Sequence, residues 1–395
     1  MVTVHQAREL VKQNILPLSP VRMSLPDAVD LVLADNMISR FDIPAFNQSS
    51  MDGYAFRYTD WKSHANLAVT DTIPAGQPVV KAMDQGHAVR IFTGAAVPDG
   101  ADTVVMQEKT KMENDSLIIL DNNLAPGTHI RLKGSEIKAG EMALEKLTLL
   151  TPAAIGFLAG IGVSEVPVYP LPSVGIIVTG NELQDPGKSL TPGQVYESSS
   201  RSLKAALQQL RINDADSCQV NDDPESLKKT LEKELDQNDL ILLTGGVSVG
   251  DYDFVVESAH ACGVEEIFHG VNQKPGKPLF FGKKEQKAVF GLPGNPSSVL
   301  TCFYEYVIPA LEALSNRKDL IRIIHAPLSV DYRKNPDLTF FLKGVYENGI
   351  VTPLGAQESY RMSSYARANC LVCLREGKSE FLKDEWVEIH LLPGQ

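Results

Sequence analysis

Between residues 173 and 315, apolar runs that end in glycine alternate with amphipathic helical stretches. SVGIIVTG reads as a strand and RSLKAALQQLR as a helix. DDPESLKKTLEKELD, a helix, leads to the strand DLILLTGG. DFVVESAHACG, KAVFGLPG and the long SSVLTCFYEYVIPALEALS continue the alternation. The strands lack period-2 alternation, so both of their faces must be covered, which is the pattern of a parallel sheet between two helical layers. Residues 173–320 are therefore expected to form a doubly wound α/β domain.

The flanks differ in texture. TVHQARELVKQNI and SLPDAVDLVLADNM both repeat apolar residues at helical spacing, with Ser24 as a cap and Pro26 in the first turn of the second. Short β-type runs (HAVRIFTG, ADTVVMQE, SLIILD) then alternate with Pro/Gly/Asp turns. TPAAIGFLAGIGVS is helical again and is expected to pack back on the first helices. The reading is an N-terminal helical and linker region (1–50 with 142–172) that carries an inserted small β domain (51–141). Short strands over 321–395, including TFFLKGVY, NCLVCLRE and EWVEIHLL, predict a C-terminal β-barrel-like domain.

Composition excludes some functions. A net charge of −12 argues against non-specific nucleic-acid binding, so an anionic ligand needs a local cationic pocket. The start, MVTVHQAREL, has no basic segment followed by an apolar core, and the apolar stretch 153–163 is too short to span a bilayer; a cytoplasmic protein is expected. Five cysteines suit a reducing compartment. Cys370 and Cys373 form one C-x-x-C on a strand, where residues three apart face opposite sides, and no second pair completes a zinc site.

Ligands of open α/β sheets bind outside the carboxyl ends of the strands. Three loops leave such ends: TGNEL with Glu182; TGGVSVGDYD with Gly245, Gly246, Ser248, Gly250, Asp251 and Asp253; and LPGNPSS with Pro293, Asn295, Pro296, Ser297 and Ser298 opening a helix. A fourth loop, KPGKP, holds Lys274 and Lys277. Glycines let backbone approach a ligand closely, and a helix start offers N–H groups and the positive end of a dipole. The lysines supply the positive charge the rest of the chain withholds. Glu182, Asp251 and Asp253 suit a largely hydrated Mg²⁺. Together these residues predict a phosphate site, with each acid-glycine step taken alone reading only as a turn or a helix cap.

Gly246-Val247-Ser248-Val249-Gly250 matches the G-x-S-x-G pattern of serine hydrolases, but Ser248 lies several residues past the apolar run rather than on a tight strand-to-helix turn. A serine nucleophile is not expected. A second polar concentration lies in the front half, in PAFNQSSMDGYAFR with Asp52 and FTGAAVPDGADTVVMQE with Thr93.

The strings PAFNQSSMDGYA, FTGAAVPDGADTVVMQE, TGNEL, TGGVSVGDYDF, KPGKP and GLPGNP, in that order and over nearly the whole length, resemble the MoeA family, the molybdopterin molybdenumtransferases, which includes the E domain of gephyrin. The resemblance implies the four-part layout above and a last step of molybdenum cofactor synthesis. There, adenylylated molybdopterin and molybdate react, the phosphoanhydride is cleaved with Mg²⁺, AMP leaves and molybdenum stays on the dithiolene. It also implies an elongated homodimer with a composite cleft, in which Asp52 and Thr93 of one subunit face the α/β domain of the other, and transient contact with the upstream molybdopterin adenylyltransferase.

Carried over by motif, Glu182, Asp239 and Asp253 are acids of the α/β site. Gly245, Gly246, Ser248 and Gly250 cradle the pterin-phosphate end. Lys274, Lys277, Ser297 and Ser298 hold the anion, and Arg361, Ser363 and Ser364 touch it from the C-terminal domain. Anhydride cleavage needs charge neutralisation more than a covalent nucleophile, which suits lysines, amides and Mg²⁺. The chain departs from the family where an arginine precedes a glycine: it has Lys343-Gly344, and lysine lacks arginine's planar fork. Two other readings stay open at this point: the adenylyltransferase step itself, and a non-catalytic molybdopterin-binding scaffold.

Overall fold

The computed structural model describes residues 1–64, 66–78, 81–247 and 254–394. Contacts divide the chain into two compact units, one of residues 23–166 and one of residues 1–22 with 167–395.

Helix α1 (Val4–Asn14) opens the larger unit. Thr3 and Gln6 form a reciprocal capping box, and Val4, Ala7 and Val11 give the helix one buried face. The second N-terminal helix expected from SLPDAVDLVLADNM does not form. Val21–Ser24, Val32–Leu33 and Met37–Ile38 are short strands instead. Long-range pairing overrides the helical spacing: Leu33 N–H donates to Thr148, and Leu147 and Leu150 N–H donate back to Leu33 and Leu31. Asp30 turns the chain with a positive φ of 63°.

The smaller unit is built on a six-stranded sheet. Its strands are β1 (Gly53–Phe56), β2 (Asn66–Ile73), β3 (His87–Ile91), β4 (Thr103–Met106), β5 (Thr110–Glu113) and β6 (Ser116–Ile119). Their order is β4-β1-β3-β2-β6-β5, and only β2 and β3 run parallel. Helix α2 (Pro152–Gly160) follows, capped by Thr151 with proline at its start.

The larger unit resumes with β7 (Val174–Thr179), α3 (Ser199–Gln209), β8 (Ala215–Val220), α4 (Pro224–Gln237), β9 (Leu240–Thr244), α5 (Phe254–Ala261), β10 (Glu265–His269), β11 (Phe280–Lys284) and β12 (Lys287–Leu292). The sheet order is β8-β7-β9-β12-β11-β10. The first four strands are parallel; β11 alone runs against them, because a tight hairpin joins it to β12, and β10, antiparallel to β11, returns to the common direction. Both faces are covered, as the apolar runs required. Ile176, Leu242 and Phe290 pack into one core with α1 and α3, and Ile177, Leu243 and Val289 pack into another with α4 and α5. Each such fully buried side chain contributes about 2 kcal/mol.

Helix α6 (Pro296–Cys302) runs through one π-turn (Phe303–Val307) into α7 (Ile308–Ser315). The chain ends in β13 (Arg322–Pro327), β14 (Thr339–Glu347), β15 (Ile350–Pro353), β16 (Cys370–Leu374) and β17 (Trp386–Leu391). The sheet β15-β14-β16-β17-β13 curls until Leu328, just past β13, bridges Val351 of β15. Gln273 and Lys274 join the same sheet, parallel to Thr339 and Phe340, so the KPGKP loop starts on the barrel. On β16, Cys373 packs toward the α/β core and Cys370 into the barrel core. Both thiols are pushed up by burial, Cys370 to about 12.

Candidate active site

Strands β7, β9 and β12 are parallel neighbours, so their carboxyl ends lie side by side. The loops TGNEL, TGG and LPGNP leave from that edge. With the KPGKP loop and a barrel loop carrying Gln357, Ser359 and Tyr360, they line a cleft of about 980 Å³. Of the residues singled out in the sequence, Glu182, Gly245, Gly246, Lys274, Lys277, Pro293, Asn295, Pro296 and Ser298 all line it.

Gly245 has no substitute in this arrangement. Its φ is +91°, and a Cβ would lie 2.6 Å from the Thr179 carbonyl oxygen. The bare backbone lets the first two loops press together and leaves the cleft floor open to a ligand. The Lys274 ammonium stands 5.4 Å from the centre of the Phe340 ring. Glu182 presents an exposed carboxylate at the wall, whereas Glu197 behind it is buried and accepts from the Ser200 N–H (2.7 Å), the Ser200 hydroxyl (2.7 Å) and Arg201 (2.7 Å).

Several residues expected in the site have other work. Ser297 is fully buried; its N–H donates to the Ser359 carbonyl (3.1 Å), and its hydroxyl receives Lys343 Nζ (3.2 Å). Lys343, itself buried, also donates to the carbonyls of Ala356, Glu358 and Arg361. Burial lowers its pKa. Ser364 is buried and donates to the Ala356 carbonyl at 2.8 Å, while Ser363 is exposed and does not line the cleft. Arg361 is exposed and pairs with Glu358 at 3.2 Å. Asp239 is a correction: it precedes β9, so it sits at the amino edge of the sheet, where it accepts from Ser173 N–H and Oγ, each at 2.9 Å. Ser248, Gly250, Asp251 and Asp253 lie outside the described residues.

Within the smaller unit, Asp52 Oδ1 accepts from Thr93 N–H (2.7 Å) and Thr93 Oγ1 (2.8 Å). These two bonds, the N–H first, hold the Asp52 pKa below the usual carboxylate value. The carboxylate is exposed, so its remaining lone pairs are open to solvent.

The sequence reading missed Ser359, Tyr360 and Gln357 as cleft residues. They stand in the segment 357–364, QESYRMSS, singled out only for its later residues Arg361, Ser363 and Ser364. It also passed over VYESSS, which supplies Tyr196, Ser198 and Ser199 to the wall. The signal available was a polar run placed between a Pro-Gly turn and a helix start.

Among the described residues, Cys373, Glu388 and His390 have the spacing of metal ligands. They do not suit a cation. His390 Nδ1 faces Glu305 Oε1 at 2.7 Å and Nε2 faces Glu388 Oε1 at 2.9 Å, so both nitrogens carry protons toward carboxylates. Burial alone would lower the His390 pKa, but the charge and hydrogen bonds of Glu305 and Glu388 raise it. A metal-bound imidazole must be neutral at one nitrogen.

A doubly wound domain with its glycine loops and lysines gathered at the strand ends is the architecture of a cofactor-handling α/β fold. Residues 175–313 match the family model of a probable molybdopterin binding domain. Residues 2–162 match the MoeA N-terminal region (domains I and II), and residues 325–392 the MoeA C-terminal region (domain IV). The chain belongs to the MoeA family. It is 34% identical to a molybdopterin molybdenumtransferase of Haemophilus influenzae, over 99% of this chain and 100% of that protein. It is 32% identical to one of Staphylococcus aureus, over 99% and 95%. Two solved structures of molybdopterin biosynthesis MoeA proteins from Pyrococcus horikoshii are similar throughout. One has a TM-score of 0.87 at 29% identity, with all of both chains covered; the other has 0.80 at 31%, with 99% of this chain and 100% of that one covered. No helix among the described residues is long and apolar enough to cross a membrane.

Proposed function

We propose that this chain is a transferase of molybdenum cofactor synthesis that joins molybdate to adenylylated molybdopterin and releases AMP. The observation that carries the reading is the convergence of three strand-end loops and the two KPGKP lysines on one cleft. Relatives across nearly the full length bear the name molybdopterin molybdenumtransferase, which supports the same step.

The residues present suit the reaction. Cleaving a phosphoanhydride moves negative charge onto the departing phosphate, so fixed cations and aimed dipoles lower the barrier without a covalent intermediate. Lys274 and Lys277 bind and orient the anionic groups. The glycine floor at Gly245 and Gly246 admits the pterin-phosphate end. Asn295, held by its amide to the Ser359 hydroxyl at 3.0 Å, borders the same space. Mg²⁺ is the cation the family implies, and it would neutralise phosphate charge. Magnesium keeps most of its water and takes one or two carboxylates. The exposed Glu182 carboxylate on the cleft wall suits that donor set, with Asp251 and Asp253 as the further acids of the proposal.

We further propose that the working form is a cytoplasmic homodimer, with Asp52 and Thr93 of one subunit completing the cleft of the other, and that it meets the upstream adenylyltransferase transiently. The ordered Asp52–Thr93 pair supports a site role, because an exposed acid held by two donors from a distant loop is more than a turn requires.

Reconstitution tests the reading. The protein supplied with adenylylated molybdopterin, molybdate and Mg²⁺ is expected to activate a cofactor-free molybdoenzyme. Pterin-dependent transfer of AMP from MgATP, with no such activation, would assign it to the preceding adenylyltransferase step instead.

A further inference from the structure

The KPGKP loop is held from beneath by a buried polar chain that touches no solvent. Tyr306 and Gln273 are 0% and 1% exposed. The Tyr306 hydroxyl donates to Gln273 Oε1, and Gln273 Nε2 donates to the carbonyls of Pro275 (3.0 Å) and Gly276 (3.2 Å). Both donors of the Gln273 amide and one lone pair of its oxygen are thereby used. Gly276, at φ +86°, sits so tightly on this support that a Cβ would lie 2.5 Å from Cys302 Sγ and 2.9 Å from Gln273 Nε2. One residue further on, the Lys277 carbonyl accepts the Val271 N–H at 2.9 Å. The backbone carbonyls of Pro275, Gly276 and Lys277 are therefore held inward, while the residues Lys274 and Lys277 line the cleft.

Tyr306 lies in the π-turn between α6 and α7, a rare geometry found often beside functional sites. The residue before it, Glu305, is fixed by Arg8 of α1 and His390 of β17. The turn is thus anchored from the first helix and the last strand, and its Tyr306 side chain reaches the KPGKP loop.

We propose that Tyr306 and Gln273 are positioning residues for an oxyanion subsite. By holding the Pro275 and Gly276 carbonyls inward, they set the spacing at which the two lysine ammoniums meet a tetrahedral oxyanion. This rests on the reading of the cleft given above. Neither residue touches the ligand; both act through the loop. The oxyanion is either molybdate or the phosphate of the adenylylated pterin, both of which present negatively charged oxygens in a tetrahedral arrangement.

The test measures kcat and KM in the full-length protein, varying molybdate and adenylylated pterin separately. Tyr306→Phe removes one hydroxyl, and Gln273→Met removes the amide at similar volume; the second carries the test if the first does not fold. Each is expected to raise KM for one of the two oxyanions about tenfold with kcat less affected, the scale seen when supporting groups are removed from a site. Whichever KM moves identifies the oxyanion. Because the two groups act in series, the double variant is expected within about twofold of the worse single one. Ser315→Ala, which loses a buried hydroxyl bond to the Leu311 carbonyl on α7, is the control for simple destabilisation and leaves both KM values in place. If Tyr306→Phe and Gln273→Met leave both KM values unchanged while Lys274→Ala raises one, the positioning role is wrong and the cleft reading stands. If Lys274→Ala and Lys277→Ala also change neither, the cleft reading fails and the positioning role with it.

Discussion

The buried ammonium of Lys343 lies 3.2 Å from the Ser297 hydroxyl and joins the start of α6 to the barrel loop that walls the cleft. Its other partners are the carbonyls of Ala356 (3.0 Å), Glu358 (3.3 Å) and Arg361 (3.1 Å). A lysine so engaged acts as a clamp on the cleft wall.

Removing that clamp has a definite cost. Lys343→Met removes a shared donor from the Ser297 hydroxyl and from three carbonyls, of which Ala356 keeps the Ser364 hydroxyl and Glu358 keeps the Arg361 N–H, at about 1–3 kcal/mol of unfolding free energy. Denaturant titration checks the loss, and faster amide exchange at residues 355–361 checks its location. Lys343→Arg is not expected to rescue it, because it places a larger planar head at a buried position; about 1–3 kcal/mol is expected from overpacking.

The pair His390 and Glu305 predicts a pH dependence. The His390 pKa is raised by Glu305 and Glu388 against the effects of burial and of Arg8. The folded state therefore holds this proton more tightly than the unfolded chain. The stabilisation is fully present below the unfolded pKa of about 6.5 and is lost as pH rises through the higher folded value. The melting temperature is expected to fall over that alkaline span and to fall less in His390→Gln. That variant breaks a buried charged pair and is expected to lose roughly 3 kcal/mol near neutrality.

Thr93 holds the Asp52 pKa down with its N–H and its hydroxyl. Thr93→Val removes the hydroxyl bond and keeps the N–H bond, so the Asp52 pKa is expected to move up toward the ordinary carboxylate value without reaching it. Carbon-detected NMR titration of the Asp52 carboxyl follows this directly. An unchanged pKa would show that the Thr93 hydroxyl does not hold the carboxylate.

Glu182→Ala and Asp253→Ala are each expected to cut turnover by at least about 100-fold, the scale of losing one charge-stabilising group. The folded protein and its proposed dimer are expected to persist in size-exclusion chromatography. Full molybdate-dependent AMP release in both variants would remove these acids from the site.

The α/β domain was legible because its strands are buried on both faces. LILLT in β9 and VGIIVT in β7 have no polar residue before their terminal threonine, and glycine marks where each loop leaves. The same logic placed TGNEL, TGG and LPGNP at one edge, whereas KPGKP was picked out by its two lysines and comes off the barrel. It misplaced Asp239, which differs from the loop acids only in coming before its strand. It also misread SLPDAVDLVLADNM, whose helical spacing yields to hydrogen bonds with residues 147–150. Ser359, Tyr360 and the Lys343 clamp were illegible for a related reason. They reach the cleft from the barrel across a sequence separation of 46 to 64 residues, and no local pattern encodes that contact.

The most direct measurement of the account is AMP release from adenylylated molybdopterin in a single turnover, with Mg²⁺ present and molybdate supplied or withheld. Rapid release that requires molybdate, and that is lost when Lys274 and Lys277 are both replaced by alanine, is the predicted result. Release at the same rate without molybdate, or undiminished release in the double lysine variant, would contradict it.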